Sequence, residues 1–181
     1  YDLLEPEAQR TFRHLAVFPG SFDLAAAAAV VGGDDLDVAD AVSRLAERSL
    51  VTHDAASRRY RLLETLRQYG LDRLAEAGET ETAQERFAAH FLALAYREAP
   101  RFMDEGFTAA DACLRAEADN LRGAAEWCQQ QRRWDVLADL AVRLWQYYIE
   151  EAPADALTWL RTALEADLTA LDSTNWDEVK A

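Results

Sequence analysis

The stretch from Ser49 to Ala77 constrains the fold most, because its apolar residues change from strand spacing to helix spacing. Two short alternating segments, 49–53 and 60–63, flank a polar turn, and this pattern predicts a two-stranded β-ribbon. From 64 to 77 the apolar residues recur at helical spacing, and Gly78 follows where a helix commonly ends. Since an isolated hairpin is marginal in water, the ribbon must pack against helices.

Three short helices are predicted before the ribbon, at about 1–18, 22–31 and 36–48. Pro19-Gly20 and a later glycine pair separate them, Ser21 or Asp23 can cap the second, and Asp35 or Asp37 can interact favourably with the dipole in the first turn of the third. Three helices followed by a two-stranded ribbon is the order of elements in a winged helix-turn-helix domain. We therefore predict such a domain over residues 1–78.

The chain after Gly78 is predicted to be helical. Apolar residues keep helical spacing in four stretches, 79–101, 109–130, 134–150 and 153–168. Helices joined by turns this short must be antiparallel neighbours, and the last two resemble one tetratricopeptide-like pair. The fold class is therefore mainly α, with residues 79–181 forming an antiparallel, repeat-like helical arm.

The charge balance argues against nucleic acid and membranes as partners. The chain has 33 acidic and 19 basic residues, a formal net charge of −14, whereas phosphate contact needs clustered Lys and Arg. The third helix, in the position of a recognition helix, sets five acidic residues around two arginines: Asp34, Asp35, Asp37, Asp40, Glu47, Arg44 and Arg48. There is no membrane-spanning run and no signal pattern. We expect a cytoplasmic protein without direct DNA binding.

Few side chains suggest local chemistry. Arg58, Arg59 and Arg61 form a basic spot at the ribbon, more typical of a solvated turn paired with carboxylates than of a phosphate contact. His14 is expected at the surface or its boundary. Two cysteines and three histidines lack metal-ligand spacing, and no phosphate-loop, nucleophile-elbow or zinc-protease motif occurs. We predict no catalytic residue, no metal site and no enzyme activity in this chain.

Several segments resemble a known family. They are FRHLAVFPGSFDLAAAAAVVG (12–32), VSRLAERSLV (42–51), RYRLLETLRQYGLDRLAEAGE (59–79), RFAAHFLALA (86–95), LRAEADNLRGAAEWC (114–128) and ALTWLRTALE (156–165). They are similar to the part that follows the nucleotide-binding domain in actinobacterial STAND-class signalling ATPases, the AfsR-like and large LuxR-type transcriptional regulators. Because the chain opens at Tyr1 rather than Met, we expect a piece of a larger protein.

The resemblance implies a regulatory segment whose winged helix packs on its own nucleotide-binding domain, while the helical arm receives a protein or small-molecule inducer. ATP or ADP would be bound by the parent protein, and no cofactor by this chain. In related NB-ARC proteins a Met-His-Asp motif at the matching place approaches the nucleotide phosphate. The matching residues here are Leu62, Leu63 and Glu64, and Leu63 cannot donate a hydrogen bond. The nucleotide-side candidates are therefore Arg61, Leu63, Glu64 and Arg67.

Two other classes of function remain open. A DNA-binding winged-helix repressor with a helical effector or dimerisation domain would be favoured by a basic third helix, and this one is acidic. An all-α enzyme would need polar side chains that converge in one pocket, and no motif indicates them.

Overall fold

The computed structural model describes residues 1, 3–103, 107–144 and 153–172. The elements are α1 (Pro6–Leu15), α2 (Leu24–Val31), α3 (Asp35–Glu47), β1 (Thr52–Asp54), β2 (Arg59–Arg61), α4 (Glu64–Glu76), α5 (Thr80–Glu98), a 3₁₀ turn (Ala99–Met103), α6 (Phe107–Ala116), α7 (Ala118–Gln130), α8 (Trp134–Arg143) and α9 (Pro153–Asp172). The predicted fold class is confirmed: three helices and a ribbon, followed by a helical region. No helix of the described residues has the length and apolar character needed to cross a bilayer.

The first three helices begin at residues that favour a helix start. Pro6 opens α1, where its missing N–H costs nothing. The Asp23 carboxylate accepts a hydrogen bond from the Ala26 amide (2.8 Å) at the start of α2, and Asp34 does the same for the Leu36 amide (2.9 Å) at α3. These caps fix the turns that orient α2 and α3.

The ribbon is anchored to the segment before α2. β1 and β2 pair antiparallel, with His53 opposite Tyr60. Phe22 extends the sheet, because its amide donates to the Tyr60 carbonyl (2.9 Å) and its carbonyl accepts from the Tyr60 amide (2.8 Å). Its ring is fully buried and stacks on Tyr60 at 6.2 Å between centroids. This anchor supplies the packing that a lone hairpin lacks.

The described chain forms two compact units. One consists of residues 1–93 with 115–124, and the other of 94–114 with the chain from 125 onward. In the first unit Phe18 lies among other buried aromatic rings, 4.6 Å from Phe22 and 5.4 Å from Phe87 between centroids. The predicted division at Gly78 stays a prediction. The unit that holds the ribbon also includes helical residues beyond that glycine.

In the second unit α8 and α9 pack on each other. The buried residues of these two helices include Leu137, Leu140, Trp159 and Ala163. These residues lie on the apolar faces predicted from helical spacing, but Leu164, expected on the same face, is 60% exposed. The tetratricopeptide-like character of the pair remains a prediction. The predicted end of the α8 segment, at 145–150, lies outside the described residues.

Two local predictions were wrong. The single helix expected over 109–130 is two helices, α6 and α7, separated by a turn at Glu117. His14, expected at the surface or its boundary, is 2% exposed, because it packs inside the first unit against the Glu79 carboxylate. Both differences involve a polar residue whose partner is distant in sequence.

Candidate functional site

The outward side of α3 is acidic. It carries the set that we call the α3 acidic face: Asp34, Asp35, Asp37, Asp40 and Glu47, all exposed. Leu36 projects from the same helix with 80% of its surface exposed. The opposite side of α3 is apolar and buried, so the amphipathic pattern leaves these charges facing solvent.

Both arginines of α3 are engaged by nearby groups. Arg44 pairs with Asp40 one helical turn earlier. Arg48 donates from Nη1 to the backbone carbonyl of Leu3 (3.1 Å). Asp40 therefore partly neutralises the Arg44 charge that a recognition helix would offer to phosphate, whereas Arg48 keeps its charge and is held by the Leu3 carbonyl.

In the structure, the three arginines of the predicted basic spot at the ribbon face different directions. Arg58, in a left-handed conformation at φ 56°, and Arg61 are exposed, and neither forms an ion pair with any residue that the structure describes. Arg59 instead points inward. The turn between the strands is closed by Asp54, whose carboxylate accepts from the Ala56 amide (3.0 Å) and the Ser57 hydroxyl (2.6 Å). These hydrogen bonds lower the pKa of Asp54.

The four nucleotide-side candidates lie in one short stretch at the start of α4. Glu64 and Arg67 form a two-point ion pair (2.8 and 2.9 Å), which lowers the pKa of the Glu64 carboxyl. Leu63 is the residue before the first helical turn and is 55% exposed, without a side-chain cap. Arg61, at the end of β2, keeps an exposed guanidinium. Of the three polar candidates, it is the one not engaged in the pair.

A buried polar cluster joins β2 to α7. The Arg59 guanidinium binds both Glu117 oxygens (2.7 and 2.8 Å), and the two side chains are 14% and 6% exposed. The same guanidinium donates to Ser21 at its hydroxyl (2.7 Å) and its carbonyl (2.6 Å). We call Ser21, Arg59, Glu117 and Asn120 the wing-base cluster.

Asn120 completes the wing-base cluster. Its amide nitrogen donates to the Ser21 carbonyl (2.8 Å) and to Glu117 (2.7 Å), while its oxygen accepts from the Gly20 amide (3.2 Å). A Cβ at Gly20 would lie 2.9 Å from the Asp119 Cβ, so only glycine allows this approach without a shift. Each side-chain hydrogen-bonding atom of buried Asn120 therefore has a partner.

The wing-base cluster was missed by sequence reasoning, although the sequence carries a signal for it. Glu117 falls three residues after buried Leu114 and four before buried Leu121, on the apolar stripe of the predicted helix. A carboxylate at a core position requires a buried cation as its partner. Periodicity marks such a position but cannot identify Arg59 as that partner.

A second polar cluster connects α1 to the turn before α5. Arg13 binds both Glu79 oxygens (2.6 and 2.9 Å), and His14 Nε2 lies 2.9 Å from Glu79 Oε2. The Arg13 guanidinium lowers the pKa of Glu79 to about 2. Burial lowers the pKa of His14, and the nearby carboxylate only partly offsets that effect. The geometry favours a neutral, packed imidazole.

The described residues offer little for catalysis or metal binding. Within the ranges given above, no group of three or more His, Cys, Asp or Glu side chains is arranged to hold a metal ion. Cys128 is buried, and burial raises the pKa of its thiol to about 11, which keeps the sulfur protonated near neutral pH.

Comparison with known proteins agrees with this architecture. The family model described as a winged helix-turn-helix domain matches residues 4–75. Proteins of Mycobacterium tuberculosis (strain H37Rv) and Mycobacterium bovis, each named "Putative HTH-type transcriptional regulator", are 37% identical over 170 residues, 90% of this chain. The chain spans only 19% of the length of those relatives.

Further matches are narrower. An M. tuberculosis (strain H37Rv) protein named "Uncharacterized protein" is 35% identical over 94 residues, which cover 49% of this chain and 24% of that relative. No solved structure gives a significant match. Residues 4–75 are thus a winged helix-turn-helix domain, in a chain homologous to proteins named as HTH-type transcriptional regulators.

Proposed function

We propose that this chain is a non-catalytic regulatory segment of a larger transcriptional regulator, and that its winged helix acts through protein contacts rather than by reading DNA. The observation that carries the proposal is the α3 acidic face, with both arginines of the helix already engaged. In a DNA-reading helix-turn-helix domain this helix enters the major groove. Five carboxylates there would oppose phosphate.

The proposed partner is a basic protein surface. The exposed side chain of Leu36 lies among the carboxylates of the α3 acidic face, giving an apolar centre with a charged rim. Opposite charges on a partner would speed encounter and select the partner, while apolar contact would supply affinity. We propose that the partner is the parent protein's own nucleotide-binding domain, as the resemblance to STAND-class, AfsR-like and large LuxR-type regulators implies.

In this proposal the parent's nucleotide-binding domain holds ATP or ADP, and the chain described here adds at most one side-chain contact to it. Contacts that differ between two nucleotide states would shift their populations, and an inducer or partner protein on the tetratricopeptide-like arm would bias the same equilibrium. Among the nucleotide-side candidates Arg61 is the proposed phosphate contact, because Glu64 and Arg67 pair with each other and Leu63 is apolar. The proposed setting is the cytoplasm.

The test uses the longer protein with its nucleotide-binding domain, and measures the rate of ADP release. Replacing Asp37→Asn together with Asp40→Asn should change that rate several-fold, because the interdomain contact loses two charges. The matched control, Glu81→Gln with Glu85→Gln, removes two exposed charges from α5 and should leave the rate unchanged. If release is the same with and without residues 1–181, the proposal fails.

The second candidate function is a DNA-binding repressor with a helical effector or dimerisation domain. Two observations favour it: the printed name of the mycobacterial relatives, and the exposed arginines Arg58 and Arg61 at the ribbon, which form no ion pair with the described residues. Wing arginines of this kind would contact the phosphate backbone without reading sequence. Salt-sensitive DNA binding that is lost in the R58A/R61A variant would favour this candidate over the first.

A further inference from the structure

We infer that Glu117 and Asn120 are positioning residues for the wing, the ribbon formed by β1 and β2, so that a movement of the α6–α7 turn is transmitted to that ribbon. The inference goes beyond the proposed function, because it holds whether the wing meets a protein or a nucleic acid. It rests on the wing-base cluster, which lies entirely within the first compact unit.

The wing-base cluster connects three backbone segments that are far apart in sequence. Arg59 belongs to β2, Ser21 to the turn between α1 and α2, and Glu117 with Asn120 to the α6–α7 turn and the start of α7. Six hydrogen bonds of 2.6–3.2 Å join these segments to one another. Displacing Glu117 would therefore change the partners of both other segments.

Apart from the buried residues that flank it, Val51 and Leu62, the wing has few attachments among the residues that the structure describes. Its strands contain three residues each, and β1 is exposed throughout. The backbone attachment of β2 is the Phe22–Tyr60 bridge, directly beside Ser21. The wing-base cluster holds Ser21 on one side of this bridge and Arg59 on the other. The position of the wing thus depends on groups supplied by residues 117 and 120.

An ordinary core contact would behave differently. Loss of a packing residue lowers protection from exchange throughout a cooperative unit, whereas loss of a positioning contact affects the segment it positions. The inference therefore predicts a local effect. The reporters are the amides of Phe22 and Tyr60, which form the bridge, and of Gly20, which donates to Asn120.

The experiment is amide hydrogen exchange followed by NMR on the full chain, comparing Glu117→Gln with the unchanged protein. The amides of Gly20, Phe22 and Tyr60 should be accelerated at least about tenfold more than the buried amides of α3, whose acceleration reports the loss of global stability. Glu126→Gln is the matched control, since Glu126 lies exposed on α7 and outside the wing-base cluster. Unchanged exchange at the three reporters, or equal acceleration in α3, would overturn the inference.

A second variant keeps the test decisive if Glu117→Gln does not fold. Arg59→Met with Glu117→Leu removes both charges and retains apolar volume, a replacement that buried ion pairs often tolerate. The inference predicts a folded chain with the three reporter amides still at least about tenfold faster, because the bonds from Arg59 to Ser21 are gone. Reporter protection equal to that of the unchanged chain would overturn it.

Discussion

Two arginine–carboxylate pairs in the first compact unit illustrate opposite uses of the same chemistry. Arg44 and Asp40 on α3 are 58% and 59% exposed, whereas Arg59 and Glu117 at the wing base are 14% and 6% exposed. In water an ion pair adds little stability, because solvent screens it and side-chain entropy opposes it. In the interior, an unpaired charge is costly.

This difference in exposure separates the charges that select a partner from the charges that stabilise the fold. The carboxylates of the α3 acidic face can change partners without disturbing the fold. Their net negative charge decides which surfaces α3 can approach. The wing-base cluster has no such freedom, since its groups are buried or half-buried and bonded to another segment. Changing surface charges should alter binding, and changing the wing-base cluster should alter the structure.

The largest expected effect comes from breaking the buried pair. Glu117→Ala leaves the Arg59 guanidinium in a buried site without its counter-charge, so the free energy of unfolding should fall by about 3 to 5 kcal/mol. Urea denaturation followed by circular dichroism measures this change. The control is Glu126→Ala on exposed α7 surface. A loss below about 1 kcal/mol would mean that water reaches Arg59 and that the buried pair does not differ from the surface pair.

The second-largest loss of stability is expected at a buried contact between uncharged groups. Gly70 of α4 faces α1, and a Cβ there would lie 2.7 Å from the Ala16 Cβ. Gly70→Ala gains roughly 1 kcal/mol of helix propensity, yet the overpacking should outweigh it. We expect a net loss of about 1 to 2 kcal/mol in thermal or urea unfolding. A stabilised variant would show that α1 and α4 can separate without cost.

The cluster of Arg13, His14 and Glu79 is intermediate in exposure between the surface pair and the buried pair, because the Glu79 side chain is 32% exposed. The folded-state pKa values of Glu79 and His14 are both below their ordinary values of 4.5 and 6.5, so the unfolded chain binds more protons. The free energy of unfolding should therefore fall as the pH drops below about 6.5, because His14 becomes protonated on unfolding. It should fall further between about pH 4.5 and 2, because of Glu79.

The acid loss due to Glu79 should amount to about 1 to 2 kcal/mol after allowance for solvent screening. Urea unfolding at a series of pH values measures it. Glu79→Gln should flatten the part of the curve between about pH 4.5 and 2. If this variant kept the full acid slope in that range, other carboxylates would be responsible for it.

The smallest effect is expected at the surface pair. Arg44→Ala removes the partner of Asp40 and should change the free energy of unfolding by less than about 0.5 kcal/mol. The same denaturation assay tests this value. A loss comparable to that of Glu117→Ala would remove the distinction between the two pairs.

The sequence indicated the local elements better than the connections between them. Period changes and turn residues predicted α1 to α4 and the ribbon, because those signals are local. The break at Glu117 and the burial of His14 depend on Arg59 and Glu79, which are distant in the chain. Likewise the basic spot of three arginines could be counted in the sequence, but only the fold turns Arg59 inward and leaves Arg58 and Arg61 outside.

The central claim is that this winged helix does not read DNA, and fluorescence anisotropy with a labelled mixed-sequence duplex at low salt tests it most directly. Low salt gives any electrostatic affinity its greatest strength. The account predicts no binding up to about 100 µM protein, weaker than ordinary non-specific affinity. Binding within the usual non-specific range of roughly 1 to 100 µM that weakens as salt is added would contradict it.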